Sequence, residues 1–293
     1  MKKTKYCPFC GTYNSIIKSG RTGKNVQRYK CNSCRKTFIN DNSTTSHLQN
    51  SDRLFKKFIG LMVDDVSLAV IARNVDIDVK TALYYRCLVF KSIEDYQNEV
   101  ILDGTILIDE TFIPVTEKKL RGLSFNQLCI ITMIDLKGYC IAKVGSRATA
   151  KPQVFIDLCA MNIGEVNQFV HDGGPNQKQF MKYFEVTMID GKRSESEEYS
   201  TMLIDSMYSS LKRYLFKHAG FKLKNLQHYL NFFVYRFNHT PKSKYYDSRG
   251  LEEKREQIID KLYKRVKRTR NKTTYKTFLS DPGITDILES VKK

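Results

Sequence analysis

Two Cys-x-x-Cys pairs, Cys7-Pro8-Phe9-Cys10 and Cys31-Asn32-Ser33-Cys34, stand twenty residues apart and fix what the first forty residues can become. Four thiolates at this spacing close tetrahedrally round one ion and leave no open position for water, so the chemistry implied is one structural Zn2+ per chain. The other use of paired cysteines, disulfides in a small secreted domain, fits poorly with an N-terminus that runs from Lys2-Lys3 to Cys7 without an apolar signal segment. The chain is therefore expected in the cytosol, where Cys87, Cys129, Cys140 and Cys159 read as buried thiols. Between the pairs, Gly20-Arg21-Thr22-Gly23 predicts a turn and residues 26–30 alternate like a strand, giving a β-hairpin zinc ribbon over residues 1–42.

Charge narrows the partner. With 49 Lys and Arg against 31 Asp and Glu the formal charge is +18, which asks for a polyanion: nucleic acid or an acidic membrane surface. No apolar run approaches the roughly 20 residues that span a bilayer, and double-stranded DNA is the preferred partner. Residues 1–50 carry ten Lys or Arg against the single acid Asp41, so this module is expected to touch phosphate.

Residues 52–64 place Leu54, Phe55, Phe58, Ile59 and Leu61 at a helical period. Residues 67–75 and 79–86 follow, separated by Asp76-Ile77-Asp78, and together predict a helix-turn-helix within residues 50–100. Ala72 is small where the helices cross, and Lys80, Thr81, Tyr84, Tyr85 and Arg86 lie on the second helix, the element that reaches base edges. A plain helical hairpin is the competing reading, since Asp76 stands where glycine is common.

From residue 105 the texture changes to strands. Thr105 to Pro114 reads Thr-Ile-Leu-Ile-Asp-Glu-Thr-Phe-Ile-Pro, a β-like apolar run with two acids at its centre. Buried, they need a divalent cation or a basic side chain; exposure at an edge is the other solution. Strand alternation sends Asp109 and Glu110 to opposite faces. Residues 126–135 and 139–144, joined by Leu136-Lys137-Gly138, add two antiparallel strands; 152–161 reads as a helix, 166–170 as a fourth strand and 181–189 as a last short one. This order describes an RNase H-like α/β fold, a mixed sheet with helices on both faces, over residues 101–245.

In that topology Asp109 on the first strand and Asp172 at the end of the fourth are neighbours. Gly173-Gly174 lets a large ligand approach, although an ordinary Asp-Gly turn has the same sequence. On a helix over 200–215, Asp205 and Lys212 stand nearly two turns apart on one face, suiting a metal ligand beside a phosphate contact. Glu197 or Glu198 is the alternative third acid. Three carboxylates suit two Mg2+ or Mn2+ ions, because hard oxygen ligands select these over zinc.

Taken together, the ribbon, the helix-turn-helix, Ile-Asp-Glu-Thr on a strand, His171-Asp172-Gly173, and Asp205 with Lys212 ahead of residues 229–238 resemble the ISXO2-like, or IS1595-type, bacterial insertion-sequence transposases. The resemblance covers residues 7 to about 240. It implies catalytic acids at Asp109 and Asp172, and cutting and joining of DNA at terminal inverted repeats and at a target, by a homodimer or larger assembly. That family begins its third motif Thr-Asn-x-x-Glu with a Lys two turns later; Thr201 and Lys212 match, while Met202 replaces the Asn and Asp205 the Glu.

Residues 246–293 form a basic helical tail in which Ile258, Ile259, Leu262 and Val266 face inward. Lys261, Lys264, Arg265, Lys267, Arg268, Arg270 and Lys272 are expected on phosphate. The function expected is therefore a DNA transposase; the alternative is a transposase-derived DNA-binding regulator without activity.

Overall fold

The computed structural model describes residues 7, 10, 12–13, 15–23, 25–39, 52–115, 126–191, 201–218, 220–240, 248–269 and 274–290. Near the N-terminus, β1 (Ile16–Arg21), β2 (Gln27–Cys31) and β3 (Thr37–Ile39) form an antiparallel sheet in chain order. The turn comes later than Gly20 to Gly23: Asn25 at φ 60° closes it through the Thr22 carbonyl, while Gly20, φ 66°, sits where the β1–β2 register shifts. Tyr29 and Phe38, ring centroids 5.9 Å apart, pack with Cys7 and Cys31 into a small core of their own.

The expected helices follow as α1 (Asp52–Val63), α2 (Leu68–Val75) and α3 (Val79–Ser92). Asp76 ends α2 in the left-handed region, φ 56°, and donates its N–H to the Ala72 and Arg73 carbonyls; Asp78 then caps α3 by accepting from the Lys80 N–H at 2.7 Å. The turn is tight because the backbone at Asp76 takes a conformation glycine would take more cheaply.

The centre of the molecule is a five-stranded mixed sheet. Its strands are β4 (Leu102–Pro114), β5 (Gln127–Asp135), β6 (Cys140–Arg147), β7 (Ile163–His171) and β8 (Thr187–Asp190), in the order β6-β5-β4-β7-β8. β4 runs antiparallel to β5, and β5 to β6; β4 is parallel to β7, and β7 to β8. Leu128 to Asp135 are buried throughout, the pattern of a strand covered on both faces. The helices are α4 (Pro152–Cys159), α5 (Pro175–Lys182), α6 (Met202–Lys217), α7 (Leu226–His239), α8 (Ser248–Arg268), α9 (Tyr275–Ser280) and α10 (Thr285–Glu289). The strand expected over 181–189 is shorter, because Met181 belongs to α5, where its side chain is buried.

One hydrophobic core runs from α1–α3 through the sheet to α8, with Phe55, Phe58, Ile106, Phe169, Phe233 and Ile259 all at 2% exposure or less. The tail helix is therefore a packing element: its inward face lies on α1, and its Arg255, Arg265 and Lys267 are engaged by Asp64, Glu99 and Asp52. This corrects the expectation for Arg265 and Lys267, whose charges already have carboxylate partners; Lys261, Lys264 and Arg268 are exposed, while Arg270 and Lys272 lie outside the described residues. Among the described residues no helix is long and apolar enough to cross a membrane.

Candidate functional site

Register decides where the acids of β4 go. Asp109 pairs with Thr132 and Glu110 with Ile131, so the two carboxylates leave opposite faces. Glu110 is tied down: its Oε1 accepts from the Cys129 thiol at 3.0 Å and from the Ala150 N–H at 3.2 Å. Asp109 lies on the face covered by α6, which packs on β4 and β5. Parallel pairing of Ile108 with His171 brings the end of β7 beside it, and Asp172 follows directly.

Burial, together with the charges of Asp172 and Asp205, pushes the Asp109 carboxyl up to about 6, against hydrogen bonds from the Glu110 N–H and the Gln177 side chain. The three acids thus come from a central strand, a loop at a strand end and a helix, and the charges of the other two reach Asp109. They are not clustered tightly: within 4.8 Å, the only groups of three or more potential ligands among the described residues lie elsewhere. Asp205 is exposed and accepts from Thr201 Oγ1 at 3.0 Å; Lys212 is also exposed, further along α6. Glu197 and Glu198 lie outside the described residues.

Around Asp109, Gln177 Oε1 is buried with no hydrogen-bond partner among the described residues, and the buried hydroxyls of Tyr208 and Thr132 have there no partner but each other. Tyr208 lies close enough to Asp109 and Thr132 for burial and the Asp109 charge to hold its hydroxyl well above the usual tyrosine value. Gln177 is 2% exposed, on the first turn of α5, and Gly174 makes room for it: a Cβ there would sit 3.0 Å from Gln177 Cδ. The His171 ring accepts the Gly173 N–H on Nδ1 at 2.8 Å, and burial, with Lys178 nearby, lowers its pKa. Asp190 closes β8 opposite His171, which adds a fourth carboxylate at this end of the sheet. Sequence patterning missed Thr132, Gln177, Tyr208 and Asp190; for Thr132 the signal was present, a hydroxyl directly across the ladder from Asp109.

At the N-terminal module Cys7 Sγ lies 3.5 Å from Cys34 Sγ and Cys10 Sγ 3.7 Å from Cys31 Sγ, and all four sulfurs fall within 4.8 Å of one another. A tetrahedron of sulfurs about 2.3 Å from a central ion has edges of about 3.8 Å, whereas a disulfide needs about 2.05 Å. The cluster can hold a metal ion and is compatible with structural zinc. Hydrogen bonds from Thr12 lower the Cys10 thiol to about 6; against the Lys36 backbone hydrogen bond, burial and the neighbouring sulfurs push Cys34 up to about 11.

A second cluster, Glu94, His228 and Asp281, already contains a cation, for Lys91 Nζ lies 2.6 Å from both carboxylates. On α3, Lys80 is exposed and Thr81 and Tyr84 are half-buried. Tyr85 is a correction: at 2% exposure it stands edge-on to Phe55 and Phe58, so it packs the helices together and cannot reach a base. Arg86 turns inward as well, over the rings of Phe90 and Tyr229. Neither a scan of protein-family models nor a search of curated proteins finds a match to this chain.

Proposed function

We propose that the chain is a DNA transposase of the DDE type, which binds the terminal inverted repeats of an insertion sequence and cuts and joins DNA strands. The observation that carries this reading is the placement of Asp172 and Asp205 near enough to Asp109, at one end of the sheet, for their charges to add to the burial that raises the Asp109 pKa. In support, the mixed sheet in the order β6-β5-β4-β7-β8, with a single antiparallel partner beside the central strand, is compatible with the expected RNase H-like domain. The four-cysteine module as a zinc ribbon and α2–α3 as a helix-turn-helix supply the DNA contacts that a strongly basic chain asks for.

The residues fit divalent cations. Three carboxylates spread too widely for one coordination shell suit two ions roughly 4 Å apart, and the unpartnered Gln177 Oε1 is an acceptor for their water. Two Mg2+ or Mn2+ ions, when bound, supply a deprotonated water or 3′-hydroxyl and a stabilised leaving oxygen. Asp109, Asp172 and Asp205 hold the ions; Gln177 fixes Asp109 through its amide; Lys212 meets a phosphate; Lys80, Thr81 and Tyr84 face the DNA groove. Joining two ends needs two active sites, hence a homodimer or larger assembly on DNA.

Incubation with pre-cut terminal-repeat DNA, a target plasmid and Mg2+, alongside Asp172→Asn, tests the reading. Strand-transfer products from the wild type alone are expected. Binding without products from either protein would overturn it in favour of a regulator, the reading that Met202 and Asp205 at the third motif favour; degradation without joining would point to a nuclease.

A further inference from the structure

A cavity of about 320 Å3 opens between α3, the turn at 220–225 and α9. That is roughly the lower end of the range that encloses a small ligand. Three features of its lining call for three different chemical groups.

The first is Arg86. Its guanidinium lies 5.9 Å from the centroid of Phe90 and 5.4 Å from that of Tyr229, and it has no carboxylate partner among the described residues. The acids that follow α3 and α9, Glu94 and Asp281, are bound by Lys91 instead. The planar fork of donors on a guanidinium is matched by a phosphate or carboxylate. Lys222, exposed on the lining, adds a second positive charge. The second feature is Asn225, whose Oδ1 is buried without a hydrogen-bond partner among the described residues and so accepts an N–H or O–H donor. The third is the aromatic wall, where Phe221 and Tyr229 stack with centroids 4.4 Å apart and Phe278 lines the α9 side. Such a wall favours a flat ring.

An inorganic anion satisfies only the first requirement and an apolar ring only the third. A nucleotide has all three: a planar base, an N–H on that base, and a phosphate. We propose that this cavity binds one nucleotide unit, its base among the rings with an N–H to Asn225 Oδ1 and its phosphate at Arg86 and Lys222. The unit is either a free mononucleotide or a nucleotide unstacked from bound DNA. This inference goes beyond the transposase reading and does not depend on the carboxylate site.

Calorimetric titration of the full chain with dAMP, dTMP and inorganic phosphate tests it, together with a duplex carrying 2-aminopurine, whose fluorescence rises when the base leaves the stack. Saturable 1:1 binding of a mononucleotide is expected, at least tenfold tighter than phosphate alone, and at least tenfold weaker in Arg86→Gln and Asn225→Leu. Leu279→Trp, which fills the cavity from an exposed position on α9, covers the case in which Arg86→Gln fails to fold. A fluorescence rise on DNA binding that Asn225→Leu abolishes identifies the DNA nucleotide as the source; mononucleotide binding without that rise identifies the free one. Absence of both, equal binding by the folded variants, or phosphate binding as tightly as nucleotide would overturn the proposal.

Discussion

Asp109 and Glu110 are adjacent in the chain and differ in every physical respect that matters. Glu110 has two donors of its own, whereas Asp109 has less hydrogen bonding than its burial demands and two acids for company. Because the folded pKa of Asp109, about 6, lies above the roughly 3.9 of an exposed Asp, the folded chain holds more protons than the unfolded chain between those values. Stability therefore falls as pH rises from about 4 through 6, and the charged carboxylate costs at most about 3 kcal/mol above that window. In magnesium-free buffer, Asp109→Asn should melt higher than wild type at pH 7.5 and converge with it near pH 4. Equal melting at pH 7.5 would show that Asp109 is already compensated within the chain. Gln177 makes a companion prediction: Gln177→Ala should weaken Mn2+ binding, read by calorimetry, several-fold without unfolding the chain, while Gln177→Glu should strengthen it by adding charge. Asp109 was legible because an acid in an apolar strand breaks a rule. Gln177 was not, since a glutamine on the first turn of a short helix is ordinary until the fold buries it.

At the scale of elements, β6 has no strand on its outer side among the described residues, and such an edge is exposed to further pairing. Side-chain amides cover it. Asn238 both accepts from the Cys140 N–H and donates to its carbonyl, each at 2.9 Å; Gln97 does the same for Ala142 at 2.6 and 2.8 Å; Gln227 accepts from the Val144 N–H at 2.8 Å. Asn231 accepts from both Gln97 and Gln227, which locks α7 against the strand. Gln97→Leu leaves the buried Ala142 N–H unpaired and its C=O with only the longer Gln227 hydrogen bond at 3.3 Å, and should cost about 1 to 3 kcal/mol in denaturant unfolding. The strand itself was readable from its alternation, but its amide cover was not, because it draws on residues 45 to 98 positions away in sequence. The turn between α2 and α3 shows the opposite case. Asp76 looked wrong for a tight turn and nevertheless adopts φ 56°, so Asp76→Gly should stabilise the chain by about 0.5 kcal/mol.

At the scale of the whole molecule, the basic C-terminal helix has two separable roles. Ile258, Ile259, Leu262 and Val266 were legible as an inward stripe, but a period of 3.6 does not say what the stripe meets. It meets α1, where Gly60 keeps the backbones close: a Cβ there would stand 3.3 Å from Ile259 Cδ1. Two-pronged Arg255–Asp64 contacts at 2.6 Å and Lys56–Asp260 at 2.6 Å flank the seam. The charges on this seam are partly exposed and contribute little beside the apolar contact. Ile259→Ala should therefore destabilise the chain by about 2 to 4 kcal/mol, and removal of residues 248–293 should expose Phe55 and Phe58, read as dye binding and a lost cooperative transition. The exposed charges behave differently. Replacing Lys261, Lys264 and Arg268 by Ala leaves the seam intact, so melting should not move. If those three side chains contact phosphate, the slope of log affinity for DNA against log salt should flatten by up to about 3, nearly one per charge. An unchanged slope would restrict the helix to packing.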